Sequence, residues 1–225
     1  MPMTGRVLTF TTPDGAVSVP IRQCVIAGWT GRDKAALDHH IEELAAIGVP
    51  GPSRVPLYYR AAVEQVIQDE AVQVLGRDGS GEIEPVLVAA SGGRLLLTVG
   101  SDHTDRKVES YSIPVSKQMC PKVLATAAWP VDLGDWMDRL TLESRATIDG
   151  REVVYQTGSL AMIRPLAELV AGYGGLEPGT VMLCGTIPVE GGLRHADRFA
   201  MRLADPETGA AIDHAYTIET LPVVR

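Results

Sequence analysis

The chain is 225 residues long, 45% hydrophobic and 21% charged, which gives it apolar material for a buried core and sets it apart from disordered chains. Lys and Arg number 20 against 28 Asp and Glu, a formal charge of −8, and no basic run could track a phosphate backbone, so nucleic acid is excluded as a partner. No apolar run reaches the roughly 18 residues of a membrane span, no signal-like stretch follows Met1, and Cys24, Cys120 and Cys184 lack Cys-x-x-Cys spacing; a cytoplasmic protein with no disulfide framework, zinc ribbon or membrane association is expected.

In chain order, residues 6–10 and 16–21 alternate as the arms of a hairpin around Pro13-Asp14-Gly15. A helix is predicted over 33–47, with Asp33 as N-cap and Gly48 then Pro50 as its stop. The Pro/Gly-rich stretch 49–56 reads as a loop between a small N-terminal region, 1–48, and a main β-rich domain, 49–225, of the same globule. Strand patterns cover 82–89, 94–100, 140–147 and 151–156, with turns at Gly92-Gly93 and Asp149-Gly150. Ser159 is placed to cap a second helix, 160–173, whose Met162, Leu166, Leu169 and Val170 make one apolar stripe before Gly174-Gly175 ends it. Strands at 181–184, 199–203 and 211–220 complete a β-rich α+β chain with a few short helices, in keeping with 23 glycines and 15 prolines.

Carboxylates converge at one point of this pattern. Glu82 and Glu84 stand two residues apart on a predicted strand, so both side chains point to one face. The next strand returns through Gly92-Gly93 and ends at Ser101-Asp102, bringing a third carboxylate beside them. Like charges on one face repel unless something positive lies between them, and a divalent cation with oxygen ligands answers that need. The alternative is a solvent-facing pair of glutamates on an edge strand, which Pro85 favours because proline avoids central strands.

On the predicted helix 33–47, Leu37, Ile41, Leu44 and Ile47 mark the buried stripe. His40 borders that stripe with Glu43 at i+3, near enough to orient the imidazole and raise its basicity, while His39 projects elsewhere and is read as surface. A satisfied contact on the helix face is the other reading of this pair. The segment Ser101-Asp102-His103-Thr104-Asp105-Arg106 is a dense polar cluster after an apolar strand, and Lys117 follows it.

The order of these motifs resembles the fumarylacetoacetate hydrolase superfamily, whose pattern runs His-x-x-Glu, Glu-x-Glu, Asn-Asp-x-Ser-x-Arg, Gly-Lys, Gln-x-Gly, Pro-Gly-Asp and Thr-Gly-Thr-Pro. Here the corresponding stretches are His40 to Glu43, Glu82-Ile83-Glu84, Ser101 to Arg106, Ser116-Lys117, Gln156-Thr157-Gly158, Pro178-Gly179-Thr180 and Cys184-Gly185-Thr186. The chain departs from the pattern at Ser101, Ser116, Thr180 and Ile187, so it is similar to a divergent bacterial branch. The resemblance implies a mixed β-roll, a Mg²⁺ or Mn²⁺ ion on Glu82, Glu84 and Asp102, and a homodimer. It also implies a water-activating dyad of His40 and Glu43, Lys117 as a cationic neighbour, and Arg106, Gln156 and Thr186 on the substrate side.

The activity so implied is metal-dependent hydrolysis of a carbon–carbon bond in an acylpyruvate-like 1,3-dicarbonyl acid, a small-molecule oxo-acid substrate. Hydration, decarboxylation or tautomerisation of a 2-oxo acid would use the same fold and ion. A non-catalytic small-molecule-binding protein and a cysteine hydrolase using Cys120, with its thiol lowered by Lys117, are the alternatives of other classes.

Overall fold

The computed structural model describes residues 6–35, 37 and 51–224. The hairpin is present as β1 (Val7–Thr12) and β2 (Gly15–Pro20), paired antiparallel. Asp33 starts the predicted helix, since its Oδ1 accepts the Ala35 N–H at 2.9 Å and its carbonyl accepts that of Leu37 at 3.0 Å. The rest of that helix, with His39, His40 and Glu43, lies outside the described residues, as does the expected boundary after residue 48.

Short strands follow: β3 (Gln23–Gly28), β4 (Leu57–Ala61), β5 (Val66–Ile67), β6 (Ala71–Leu75), β7 (Gly79–Ser80), β8 (Ile83–Ala89), β9 (Leu95–Asp102) and β10 (Thr104–Asp105). After two short helices, Arg106–Glu109 and Ile113–Met119, come β11 (Lys122–Leu124), β12 (Trp129–Val131), β13 (Thr141–Ile148) and β14 (Arg151–Ser159). The helix Leu166–Tyr173 leads to β15 (Thr180–Leu183), β16 (Arg198–Ala204) and β17 (Ala211–Leu221). An eight-stranded mixed sheet runs β4-β3-β15-β8-β9-β11-β5, with β12 also on β9, and a five-stranded sheet runs β14-β13-β16-β17-β6. Among the described residues no helix is long and apolar enough to cross a membrane.

Alternation along the strands decides what lies between the sheets. Leu142, Ser144 and Ala146 of β13 and Phe199, Met201 and Leu203 of β16 face inward, while their neighbours are more exposed. They pack on Ile83 and Leu87 of β8 and Leu97 and Val99 of β9, closing a core between the two sheets. The other face of the large sheet carries Val86, Val88, Leu96 and Leu124, and the β1–β2 hairpin covers it with Leu8, Phe10 and Val19. Strand β8 is buried along its whole length between β15 and β9, which overturns the edge-strand reading of Pro85. The proline is tolerated because the ladder to β15 ends there: its carbonyl accepts the Cys184 N–H at 3.1 Å and the chain turns away at Gly185.

The second helix departs from expectation at its start. Residues Leu160–Met162 form a single 3₁₀ turn, and the α-helix begins only at Leu166. Pro165 removes a helix N–H and biases Arg164 towards extended backbone, which disfavours one continuous helix from residue 160. Ser159 belongs to β14, its side chain caps nothing, and Met162 is exposed. The predicted stop holds, with Gly174 at φ 99° and the Gly175 N–H on the Val170 carbonyl at 2.9 Å. The turn Asp149-Gly150, with φ of 49° and 75°, joins β13 to β14 as its sequence requires.

Gln156 ties the two sheets together. Its Oε1 accepts from the Ile83 N–H at 3.0 Å and from Ser144 Oγ at 3.1 Å, and its Nε2 donates to Thr186 Oγ1 and the Ile187 carbonyl, both at 2.7 Å. Thr186 Oγ1 in turn donates to the Ile83 carbonyl at 2.8 Å. A primary amide makes four hydrogen bonds, so Gln156 is saturated by the protein. Gln156→Leu keeps the size but orphans several buried groups, and urea denaturation should show a loss of about 2–4 kcal/mol. An unchanged midpoint would remove the brace from this account.

Candidate metal centre

The centre lies on the outer face of the large sheet, the face that carries Val86 and Val88 of β8 and packs against the β1–β2 hairpin. Side chains alternate from the end of β9 into β10, and their contacts divide cleanly. Ser101 and His103 meet the Tyr216 hydroxyl on the inner side, both at 2.9 Å, whereas Asp102 and Thr104 share Lys117 on the outer side. Glu84 is opposite Gly100 in the β8–β9 register, and the Asp102 N–H bonds the Glu82 carbonyl at 3.0 Å. All three acidic side chains therefore share one face, and their ligand oxygens lie within 4.8 Å of one another. Gly100 keeps its place between Val86 and β11, since a Cβ there would meet Val86 Cγ2 at 2.9 Å and the Val123 carbonyl at 3.0 Å.

Two short helices bring the cations. Asp105 caps the turn Arg106–Glu109 by accepting the Val108 N–H at 2.8 Å, which sets Arg106 and Glu109 side by side at i,i+3. Arg106 reaches Glu82 Oε1 at 3.1 Å, Glu109 Oε2 at 2.8 Å and Ser80 Oγ at 2.7 Å. The next helix carries Lys117, whose Nζ lies 2.7 Å from Asp102 Oδ2, 3.0 Å from Glu82 Oε2 and 3.6 Å from Glu109 Oε1. From β11, Lys122 Nζ approaches the other Asp102 oxygen, Oδ1, at 2.7 Å.

These pairings decide the charge states. Burial opposes ionisation of Asp102, but Lys117 and Lys122 outweigh it and hold the carboxyl at about 2. Burial likewise opposes ionisation of Glu82, and Arg106 and Lys117 bring it below its usual value. Glu84 is the exception: burial first, then the charges of Asp102 and Glu82, push its carboxyl well above the usual range. The Gly185 N–H donates to its Oε2 at 2.7 Å, and among the described residues no cation pairs with it. Gly185 holds φ 98°, and a side chain there would run into Thr30, so this N–H is aimed at the carboxylate by a turn that only glycine makes comfortably. Three converging oxygen donors, one of them buried without a counter-charge, fit a hard divalent cation.

Of the residues singled out from sequence, Glu82, Glu84, Asp102, Lys117 and Arg106 come together here. Gln156 and Thr186 stand behind β8 as the brace, and His40 and Glu43 lie outside the described residues. Cys120 is buried, and burial pushes its thiol up to about 11 despite Lys122, which contradicts a cysteine nucleophile. Burial also holds His103 neutral, at about 3. Lys122 and Glu109 join the same cluster, and no sequence motif singles them out. Glu109 also borders a cavity of about 200 Å³ lined by Trp29, Leu57, Tyr59, Tyr111 and Ile113.

Solved structures share this architecture. A protein of Oleispira antarctica, named a candidate fumarylacetoacetate isomerase/hydrolase, superposes with a TM-score of 0.67 at 16% identity, over 93% of this chain and 98% of its own. A candidate fumarylpyruvate hydrolase from Burkholderia cenocepacia gives 0.65 at 16% identity, over 97% of each chain. The 5-carboxymethyl-2-hydroxymuconate delta-isomerase of Mycobacterium smegmatis gives 0.58 at 14% identity, over 98% of this chain and 100% of its own. The fold is thus that of the fumarylacetoacetate hydrolase superfamily, at low identity. No curated protein matches the chain. Residues 27–216 match the family described as "Protein of unknown function (DUF2848)", and the chain belongs to that family.

Proposed function

We propose that this chain is a divalent-metal-dependent enzyme that hydrolyses a carbon–carbon bond in an acylpyruvate-like 1,3-dicarbonyl acid. The observation that carries the reading is the convergence of Glu82, Glu84 and Asp102 in a buried cluster where, among the described residues, no cation pairs with Glu84. A Mg²⁺ or Mn²⁺ ion held by these three would polarise the substrate's oxo group and stabilise negative charge. Lys117 and Arg106 add fixed positive charge beside the place where an enolate develops, already oriented by Glu82, Asp102 and Glu109. His40, oriented by Glu43, is the general base of this reading, and its support is the sequence pattern.

The cavity beside Glu109 would take the far end of the substrate. Trp29 Nε1 donates to the Tyr59 hydroxyl at 3.0 Å, which leaves that hydroxyl's own proton to offer to a ligand. At about 200 Å³ the space exceeds the roughly 150 Å³ in which an apolar cavity binds benzene. An aromatic or branched acyl group therefore suits it better than an acetyl group. A homodimer belongs to the same reading.

The neighbouring isomerase fold keeps a second reading open, in which the same centre stabilises an enolate without hydrolytic water. Glu82→Ala, Glu84→Ala and Asp102→Ala should each abolish Mn²⁺ binding in calorimetry, and unchanged affinity in all three would sink the centre. With an aroylpyruvate as substrate, chelation should stop turnover, and His40→Ala should lower it about 10²–10⁴-fold while sparing Mn²⁺ affinity, with His39→Ala as control. Decarboxylation of oxaloacetate that survives His40→Ala, with no hydrolysis in any variant, would favour the second reading. Selectivity should run with the cavity: kcat/KM for an aroylpyruvate should exceed that for acetylpyruvate by roughly tenfold or more, and Tyr59→Ala should erode the ratio.

A further inference from the structure

Lys122 stands on β11 directly across from Asp102 on β9, on the same face of the sheet. It is 0% exposed. Its ammonium lies 2.7 Å from Asp102 Oδ1 and donates to the His103 carbonyl at 2.7 Å. Lys117, by contrast, divides itself among Asp102, Glu82, Glu109 and Thr104. Among the described residues Asp102 is the one carboxylate within ion-pair distance of Lys122. A lysine gives up its hydration to reach such a place, and a directly opposed, oppositely charged cross-strand neighbour is what holds it there.

We infer that Lys122 is a positioning residue, the resident counter-charge of Asp102, and that it sets how tightly the carboxylate cluster takes a divalent cation. The inference rests on the metal-centre reading above. Lys117, Lys122 and Arg106 face Glu82, Glu84, Asp102 and Glu109, so three fixed positive charges already stand among the carboxyl groups before any ion enters. Lys122 therefore does part of the ion's electrostatic work. It holds the Asp102 carboxylate in place without metal, and its repulsion weakens the site for a second cation a few ångströms away. The consequence is a centre that folds metal-free and binds its ion reversibly.

The test compares wild type, Lys122→Met, Asp102→Asn and the double variant by calorimetric melting in EDTA and in saturating MnCl₂, with Mn²⁺ affinities by titration. Lys122→Met removes the charge but keeps the stem. It should lower Tm in EDTA by about 5–15 °C, and MnCl₂ should restore most of that loss. Its Mn²⁺ affinity should rise about ten- to a hundredfold, a change that a purely structural lysine would not produce. In the Asp102→Asn background the same substitution should cost little or stabilise, because it removes a charge left without its partner. Should Lys122→Met not fold in EDTA, the pair of Asp102→Asn variants still reads the coupling. If wild type binds Mn²⁺ and Lys122→Met binds no more tightly, the inference about Lys122 fails and the metal centre stands. If neither binds Mn²⁺, both fail.

Discussion

Burying several charges together at one end of a sheet is the constraint around which the rest of this molecule is arranged. An isolated buried ion costs several kcal/mol, so each carboxylate of the cluster needs a partner with good geometry. Asp102 has two, Lys117 on one oxygen and Lys122 on the other, and Glu82 has Arg106 and Lys117. Supplying these partners explains the connection between β10 and β11, where two short helices follow each other and deliver Arg106, Glu109 and Lys117 to one place. Among the described residues Glu84 has a backbone N–H and no ion pair, and the electrostatic case for a bound cation starts there.

What the sequence reveals of this follows from the range of the interaction involved. The β8–β9 hairpin, its Gly92-Gly93 turn and the shared face of Glu82, Glu84 and Asp102 are legible because a period of two and a tight turn are local properties. The helix expected from residue 160 fails on an equally local signal, since Pro165 outweighs the apolar spacing that suggested one continuous helix. Lys122 could not be found that way. A lysine opening the run Lys122-Val123-Leu124 reads as a strand end reaching solvent, and only its pairing with Asp102, twenty residues earlier, turns it into a buried charge. Gln156 is the converse, a motif residue whose four bonds to β8, β13 and the chain after Gly185 are visible only once the two sheets are stacked.

Superposable chains named as hydrolases and as an isomerase share this fold at 14–16% identity, so the fold does not choose the reaction. In the proposed reading the choice falls to groups outside the carboxylate cluster: the base at His40 and the aromatic cavity of Trp29, Tyr59 and Tyr111. In that reading an ion held by the cluster would supply what such reactions have in common, stabilisation of negative charge on an oxo acid. An extra buried ammonium on Asp102 fits that division, because it adjusts the strength of the shared centre without touching the cavity where substrates differ.

The most direct measurement of the central claim is anomalous diffraction from crystals grown with MnCl₂ and oxalate. The account predicts a single manganese peak within about 2.0–2.3 Å of carboxylate oxygens from Glu82, Glu84 and Asp102, with Lys122 still on Asp102. A cluster without manganese at saturating concentration, or manganese bound elsewhere while these carboxylates keep only their lysine and arginine partners, would contradict it.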